Sequence, residues 1–209
     1  DDSKEYLVLP YIEGFKGLIG KFQRPTPQRC IKYDYELQLK LSDQFKEELE
    51  KAGVKNKKRV TLGDKDAYLA PKVFIRQSAT EIIATYCDKP YAANNSIYIL
   101  TNKENTEQSK SMLKYTCGVL NSDLVTFYCR INKIIRAEKG KTPQIKISDL
   151  KDVRIHVDNH YFEEIVQIVE QLLRNPKDKM LSRRLNELVY IIYGIDENER
   201  KFITDYLTA

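Results

Sequence analysis

The chain has 209 residues, of which 42% are hydrophobic and 31% charged, a composition that excludes an intrinsically disordered protein. No apolar run approaches the roughly 18 residues that a membrane-spanning helix needs. The four cysteines are too far apart for a zinc ribbon and too few for a disulfide-rich secreted scaffold. We therefore expect a cytoplasmic protein without a membrane partner, and its length permits one domain with a helical appendage.

The net charge of +5 is unevenly distributed along the chain. From Asp158 onward there are seven Lys and Arg against ten Asp and Glu, so the positive charge belongs to the preceding residues. A positive body with an acidic end favours a polyanion-binding surface that is supported by the end segment. A neutral, solvated surface is the alternative.

The first forty residues alternate short apolar runs with glycine and proline, which predicts strands and turns. Three strands are expected, at 6–9, at 18–19 and at 30–35. The glycines at 14, 17 and 20 are interpreted as turn residues, because no Gly-Lys-Ser/Thr sequence of a phosphate-binding loop follows them.

Ser42 is predicted to cap a short helix that ends at Gly53. A basic loop follows the helix, and it either contacts phosphate groups or is only solvated. Its cations are Lys55, Lys57, Lys58 and Arg59.

The middle of the chain is predicted to form a β-meander followed by two helices. The strands are expected at 72–76, 81–86 and 96–100. The first helix begins near Lys110 and closes at Asn121, and the second is capped by Ser122 or Asp123. Short strands are expected again at 144–147 and 153–157.

The sharpest basic cluster lies between the second helix and these last strands. Residues 130–141 contain five Lys and Arg and a single acid, and they run into a glycine-containing loop. A mobile basic edge of this kind commonly supplies phosphate and groove contacts. The cations are Arg130, Lys133, Arg136, Lys139 and Lys141.

The tail is predicted to be wholly helical, with helices at 161–174 and 181–194 and a third that opens on a capping box, Asp196 with Glu199. We therefore expect an α+β fold with a mixed sheet. Residues 1–157 would form the body, with a lead-in over 1–69 and a core over 70–157. Residues 158–209 would form a helical segment.

No catalytic constellation stands out in the sequence. His156 and His160 have no further Cys or His nearby, which argues against a metal site. Asp123 with Asp149-x-Lys151 fits the acid-x-lysine pattern of magnesium-dependent endonucleases, but this pattern often arises by chance. The chain also lacks the Pro-Pro pair of an adenine methyltransferase active site. Binding is therefore favoured over catalysis, with a magnesium-dependent endonuclease or a protein-interaction module that uses the helical tail as alternatives.

Three segments resemble, in order, the TaqI-like specificity domain of N6-adenine DNA methyltransferases and type IIG restriction-modification enzymes. They are FIRQSATEIIATYCDKPYAANNSIYIL at 74–100, GVLNSDLVTFY at 118–128 and PQIKISDLK at 143–151. The tail sequence LNELVYIIYGIDENE at 185–199 is similar to the helical end of type IIG enzymes. The chain departs from many relatives at Ser78, where they have Thr, and in lacking a Pro near Val153.

The resemblance implies a target-recognition domain that reads double-stranded DNA. The methyltransferase domain, expected N-terminal to it in the same parent chain, would bind S-adenosylmethionine and flip an adenine out of the duplex. A nuclease fused to the parent is also compatible with the family. We interpret this chain, which starts without Met, as a fragment with no catalytic site and no cofactor of its own.

The candidate DNA contacts follow from side-chain chemistry within the family frame. Arg76 and Gln77 carry donors suited to guanine and adenine edges, although their place in a motif shared by relatives that read different sequences favours a structural or backbone role. A polar turn adds Asn94, Asn95 and Ser96. The preferred candidates are on the basic loop: Arg136, Lys139, Lys141, Thr142 and Gln144. Lys55, Lys57, Lys58 and Arg59 are expected to touch phosphates.

Overall fold

The computed structural model describes residues 7–53, 62–136 and 142–208, which form an α+β fold. The first elements are β1 (Leu7–Ile12), α1 (Gly14–Gly17), β2 (Arg29–Tyr33), α2 (Tyr35–Lys51) and α3 (Lys65–Leu69). The middle contains β3 (Lys72–Arg76), β4 (Ala84–Cys87), β5 (Ala92–Ala93), β6 (Ile97–Thr101), α4 (Glu107–Leu120) and α5 (Asp123–Ile131). The remaining elements are β7 (Ile135–Arg136), β8 (Gln144–Ile145), α6 (Ile147–Leu150), α7 (Phe162–Arg174), α8 (Lys179–Ile192) and α9 (Glu197–Thr208).

The central sheet has the strand order β4-β3-β6, with both pairs antiparallel. The three strands predicted between 72 and 100 are therefore present, but the predicted meander order is wrong. A meander would place β4 in the middle, whereas the connection through β5 carries the chain past β3 and leaves β3 central. Strand β5 pairs in parallel with β1 in a second sheet of order β2-β1-β5, so this connection joins the two sheets.

Two other predictions in the N-terminal third are wrong. Helix α2 begins well before Ser42, because the Asp34 carboxylate accepts a hydrogen bond from the Leu37 N–H and caps the helix there. Ser42 is a buried residue inside the helix. Leu18 is not in a strand but is the buried C-terminal cap of α1.

Residues 153–157 are also not a strand, although their backbone is held in place. The Tyr193 hydroxyl donates to the Arg154 carbonyl and accepts from the His156 N–H, both at 2.9 Å. The Tyr115 hydroxyl donates to the His156 carbonyl at 2.8 Å. Side chains from two helices thus replace the hydrogen bonds that a neighbouring strand would make. Of the strand expected at 144–147, only β8 forms before α6 begins.

The predicted tail helices are confirmed as α7, α8 and α9, and so is the capping box. The Asp196 N–H donates to Glu199 and the Glu199 N–H to Asp196, both at 2.9 Å. Helices α7 and α8 share a hydrophobic core with the central sheet and α4, and their contributions include Ile165, Val169, Leu172, Leu185 and Leu188. The core therefore crosses residue 157, while the division of the chain at that point stays a prediction. None of the helices in the described ranges has both the length and the apolar character to cross a membrane.

Candidate nucleic-acid interface

One end of the central sheet brings together three segments that are distant in sequence. The Gln77 N–H donates to the Ser96 carbonyl at 2.9 Å, and the Gln77 carbonyl accepts from the Ile145 N–H at 2.8 Å. The next residue, Ser78, forms an isolated antiparallel bridge with Gln144. The strand end at 76–78, the polar turn at 94–96 and strand β8 therefore form one continuous edge, which we call the strand-end face.

The β7–β8 hairpin extends this face with exposed polar side chains. Arg136 lies opposite Gln144 in the hairpin, and both residues are exposed, as is Thr142. The Arg136 guanidinium contacts Asp149, with 2.5 Å between Nη2 and Oδ2. Hydrogen bonds from Ser148 and Arg136 hold the pKa of Asp149 below its usual value. The carboxylate therefore remains charged and keeps Arg136 at the surface in a defined position.

Six predicted contacts cannot be placed on this face. Two belong to the segment that connects β7 and β8, and four belong to the basic loop after α2; all lie outside the described residues. They are Lys139, Lys141, Lys55, Lys57, Lys58 and Arg59. Their contact with DNA stays a prediction.

Arg76 uses its donors within the protein. Its Nε donates to the Ser78 carbonyl at 2.7 Å and its Nη1 to the Ile19 carbonyl at 3.4 Å. Partial burial lowers the pKa of the guanidinium, which nevertheless stays charged. Arg76 thereby ties the end of β3 to the segment that follows α1.

The polar turn is ordered by one side chain. Asn94 Oδ1 accepts from the Ser96 hydroxyl at 2.6 Å, from the Ser96 N–H at 3.2 Å and from the Gly14 N–H at 3.3 Å. Gly14 has a positive φ of 49°, a conformation that glycine adopts without strain. Asn94 and Ser96 are thus occupied in holding α1 against the turn, whereas Asn95 is exposed and available to a ligand.

The segment from Gly14 to Ile19, which lies between Asn94 and Arg76, was not among the predicted contacts. Lys16 on α1 is exposed, and the Ile19 side chain is 62% exposed although its carbonyl is held by Arg76. Gly17 lets this segment fold back on β1, because a Cβ there would overlap the Ile12 side chain. The glycine spacing indicated a turn correctly, but it carried no information about where that turn would pack.

Asn121 supports the face from behind. Its Nδ2 donates to the Ala84 carbonyl and its Oδ1 accepts from the Ala84 N–H, both at 2.9 Å, with the side chain only 4% exposed. The preceding carbonyl, of Ile83, accepts from the Arg76 N–H at 2.9 Å. Ser122 caps α5 through the Val125 N–H, which confirms one of the two predicted caps. The second motif of the sequence therefore joins the helix pair to β4.

The acidic residues considered for an endonuclease make other contacts. Asp123 accepts from Asn186 Nδ2 at 2.8 Å, and burial raises its pKa. Asp149 is paired with Arg136. Within the described ranges, no group of three or more His, Cys, Asp and Glu is arranged to hold a metal ion. His156 and His160 are both exposed, and the His156 ring lies edge-on to Tyr193 at 6.0 Å.

The chain matches the family model of the TaqI-like C-terminal specificity domain over residues 32–155. The matched span is more than half of the chain and contains all three segments on which the resemblance rests, together with most of the strand-end face. No curated protein matches the chain. The chain belongs to the family of TaqI-like C-terminal specificity domains, DNA-recognition modules of restriction-modification enzymes.

Proposed function

We propose that this chain reads a short sequence in double-stranded DNA on behalf of an N6-adenine methyltransferase, and that it does not itself catalyse methyl transfer. The observation that carries the proposal is the strand-end face, where three distant segments meet on a hydrogen-bonded edge. A DNA-reading site needs side chains with base-edge donors and acceptors on a rigid support. The face supplies both.

The roles of the side chains follow from their exposure. Gln144 and Asn95 carry exposed amides, which match the donor and acceptor pattern of adenine. The Arg136 Nε donates to the Lys133 carbonyl and its Nη2 to Asp149, which leaves the exposed Nη1 donors for guanine or a phosphate. Lys16 and Lys133 are exposed cations on neighbouring segments and fit backbone phosphates, which give affinity without sequence information. Arg76, Asn94 and Ser96 would hold the face in shape.

The catalytic part of the reaction would belong to a methyltransferase domain of the same parent chain. S-adenosylmethionine bound there would supply the methyl group, and that domain would flip the adenine while this chain holds the duplex. The resemblance supports this assignment.

Selection from a random duplex library, followed by binding measurements over a range of salt concentrations, tests the proposal. We expect the chain to enrich one short sequence and the affinity to fall steeply as salt rises. Gln144→Ala should relax the preference at one base pair by about 1–3 kcal/mol. Lys133→Gln should weaken binding to all sequences alike and lower the salt dependence. Gln167→Ala, at an exposed site on α7, is the matched control.

Three outcomes would contradict the proposal. A library without an enriched sequence would rule out sequence reading. Tight binding to a protein partner, insensitive to salt and without DNA affinity, would favour the interaction-module alternative. Cleavage of DNA with magnesium that Asp149→Ala abolishes would favour the endonuclease alternative.

A further inference from the structure

A second cleft lies at the other end of the central sheet. It has a volume of about 700 Å³ and is formed by the segment before β2, the turn after β4, helix α4 and the end of α7. Cys87, at its floor, faces Lys72 at the start of β3, whereas the strand-end face begins at Arg76. At about 3.3 Å per residue, the two sites are separated by roughly 13 Å of strand. The volume is within the range of small-molecule sites.

The charged side chains in the wall are only partly paired. Lys110 Nζ lies 2.5 Å from Glu107 Oε1, and Lys114 Nζ lies 2.5 Å from Glu170 Oε1. The charges within each of these two pairs cancel. Four other charged residues line the cleft: Arg24, Lys89, Arg174 and Asp88. Their side chains make no hydrogen bond or ion pair within the described part of the chain. Three cations therefore face one acid around the cleft.

Two aromatic rings complete the wall. Tyr86 and Tyr91 both line the cleft, and Lys114 Nζ lies 5.5 Å from the centroid of the Tyr86 ring. Burial, with the nearby acids, raises the pKa of Tyr86 to about 12, so its hydroxyl remains a neutral hydrogen-bond donor. Leu173 adds an apolar side chain. The cleft thus combines ring surfaces for stacking with donors for an oxyanion.

We propose that this cleft binds a nucleoside phosphate monoester, with its phosphate between Arg24 and Arg174 and its base against the tyrosine rings. The excess of two positive charges among the unpaired residues matches a phosphate monoester, which carries nearly two negative charges at pH 7. Arginine is suited to phosphate because its fork donates two parallel hydrogen bonds. A free mononucleotide and the 5′-phosphate at the end of a nucleic-acid strand share this chemistry. The inference does not depend on the DNA-reading function.

Helix α7 of the tail links the cleft to the packing of the tail on the body. The end of helix α7 lines the cleft with Glu170, Leu173 and Arg174, so this part of the wall is present only while the tail is packed on the body. A ligand that bridges Arg24 and Arg174 would stabilise this packing, since it binds only the folded, docked arrangement.

Titration calorimetry with adenosine 5′-monophosphate on the whole chain tests the proposal. We expect saturable binding at one site, with adenosine and inorganic phosphate each binding at least about tenfold more weakly, because each lacks one half of the recognised chemistry. The double variant Arg24→Gln/Arg174→Gln should also lose at least about tenfold in affinity. Arg183→Gln, an exposed arginine on α8 outside the cleft, is the matched control and should bind as the original chain does. Thermal unfolding of each variant without ligand verifies that it is folded.

The second arm compares a 5′-phosphorylated oligonucleotide with the same strand lacking the phosphate. If the phosphorylated strand binds more tightly than the mononucleotide, and the double variant removes the affinity gained from the phosphate, the site is assigned to strand ends. If the phosphorylated strand binds more weakly than the mononucleotide, the site is assigned to free nucleotides. The proposal is overturned if no ligand binds at millimolar concentration, if inorganic phosphate binds as tightly as the mononucleotide, or if the double variant and Arg183→Gln behave alike. Each of these results leaves the DNA-reading proposal untouched.

Discussion

Buried and half-buried polar side chains hold backbone segments at the strand-end face and elsewhere in the fold. Asn94 orders the polar turn, Asn121 fixes the start of β4, and Tyr193 holds the extended residues before α7. Each of these side chains bonds to main-chain groups that no strand ladder pairs. The chemistry of the face therefore depends on residues that need not touch a ligand.

Asn121→Leu tests this support. The substitution leaves the Ala84 N–H without its side-chain acceptor in a buried site, and we expect it to lower the free energy of unfolding by about 2–3 kcal/mol. Urea denaturation measures the loss. Asn105→Ala, at an exposed residue before α4, is the matched control and should change stability by less than about 0.5 kcal/mol. Equal stability of the two variants would show that the Asn121 contacts are dispensable.

Lys72 is a buried cation in the central sheet. Its side chain has no solvent exposure, and its Nζ donates to the Lys89 carbonyl at 2.8 Å. Burial lowers the pKa of Lys72 to about 8 from 10.5. Between these values the folded state binds fewer protons than the unfolded state, so this group's contribution to stability rises with pH. Below about pH 7 both states are protonated and the penalty of burying the charge is complete.

The pH profile of Lys72→Met isolates this group. We expect the difference in unfolding free energy between the original chain and the variant to be constant below about pH 7. From pH 8 to 10 it should move in favour of the original chain, by a value on the order of 2 kcal/mol. Chemical denaturation at each pH gives the profile, with the exposed Lys103→Met as control. Parallel profiles for the original chain and Lys72→Met would contradict the expectation.

Among the elements, α4 packs against both the central sheet and α7, and Gly118 lets α7 approach it closely. A Cβ at Gly118 would lie 2.7 Å from Val169 Cγ2, 3.3 Å from Ile165 Cγ2 and 3.4 Å from Leu185 Cδ1. The first two atoms belong to α7 and the third to α8. The 3.4 Å distance to α8 is an ordinary contact, so it is the close approach of α7 to α4 that depends on the absence of a side chain at Gly118, and α7 cannot shift along α4 freely.

Gly118→Ala should destabilise the protein by about 1–3 kcal/mol, although alanine favours a helix over glycine by about 1 kcal/mol. The cause is overlap with Val169, so Val169→Ala in the same chain should recover part of the loss. Denaturant midpoints of the two single variants and the double variant form a thermodynamic cycle. Strictly additive losses would mean that the overlap is relieved elsewhere.

Helices were easier to predict than strand order for a physical reason. Helix α7 and the capping box of α9 follow from apolar spacing and from hydrogen bonds between residues that are three or four positions apart. The central position of β3 depends on the path of the chain through β5, which no local spacing records. The start of α2 was missed because a cap at Asp34 competes with the one expected at Ser42.

At the scale of the whole molecule, one hydrophobic core joins the body to the tail. Side chains of α7 and α8 pack in the same cluster as Val73 and Ile75 of the central sheet. The tail also bonds to the body through Asn186, which accepts from the Asp123 N–H at 2.9 Å and donates to its carboxylate. Helix α9 differs, since Ile203 is its single buried residue.

Truncation measures how far the two parts depend on each other. A chain that ends at residue 157 should lose cooperative thermal unfolding and bind a hydrophobic dye, because it exposes the core surface that α7 and α8 cover. A chain that ends at residue 195 removes only α9 and should keep a cooperative transition at a somewhat lower temperature. A cooperative transition in the shorter chain would instead establish residues 1–157 as an independent domain.

Motif order, apolar spacing and capping residues predict the family, the α+β class and the positions of most helices, because they are local properties of the chain. The folded chain shows in addition that Gln77, Ser96 and Ile145 meet on one edge, that Arg76 and Asn94 bond to Ile19 and Gly14, and that α7 lines a second cleft. These contacts join residues that are tens of positions apart. Which distant groups meet is set by the packing of the whole chain, and no spacing within a single segment contains that information.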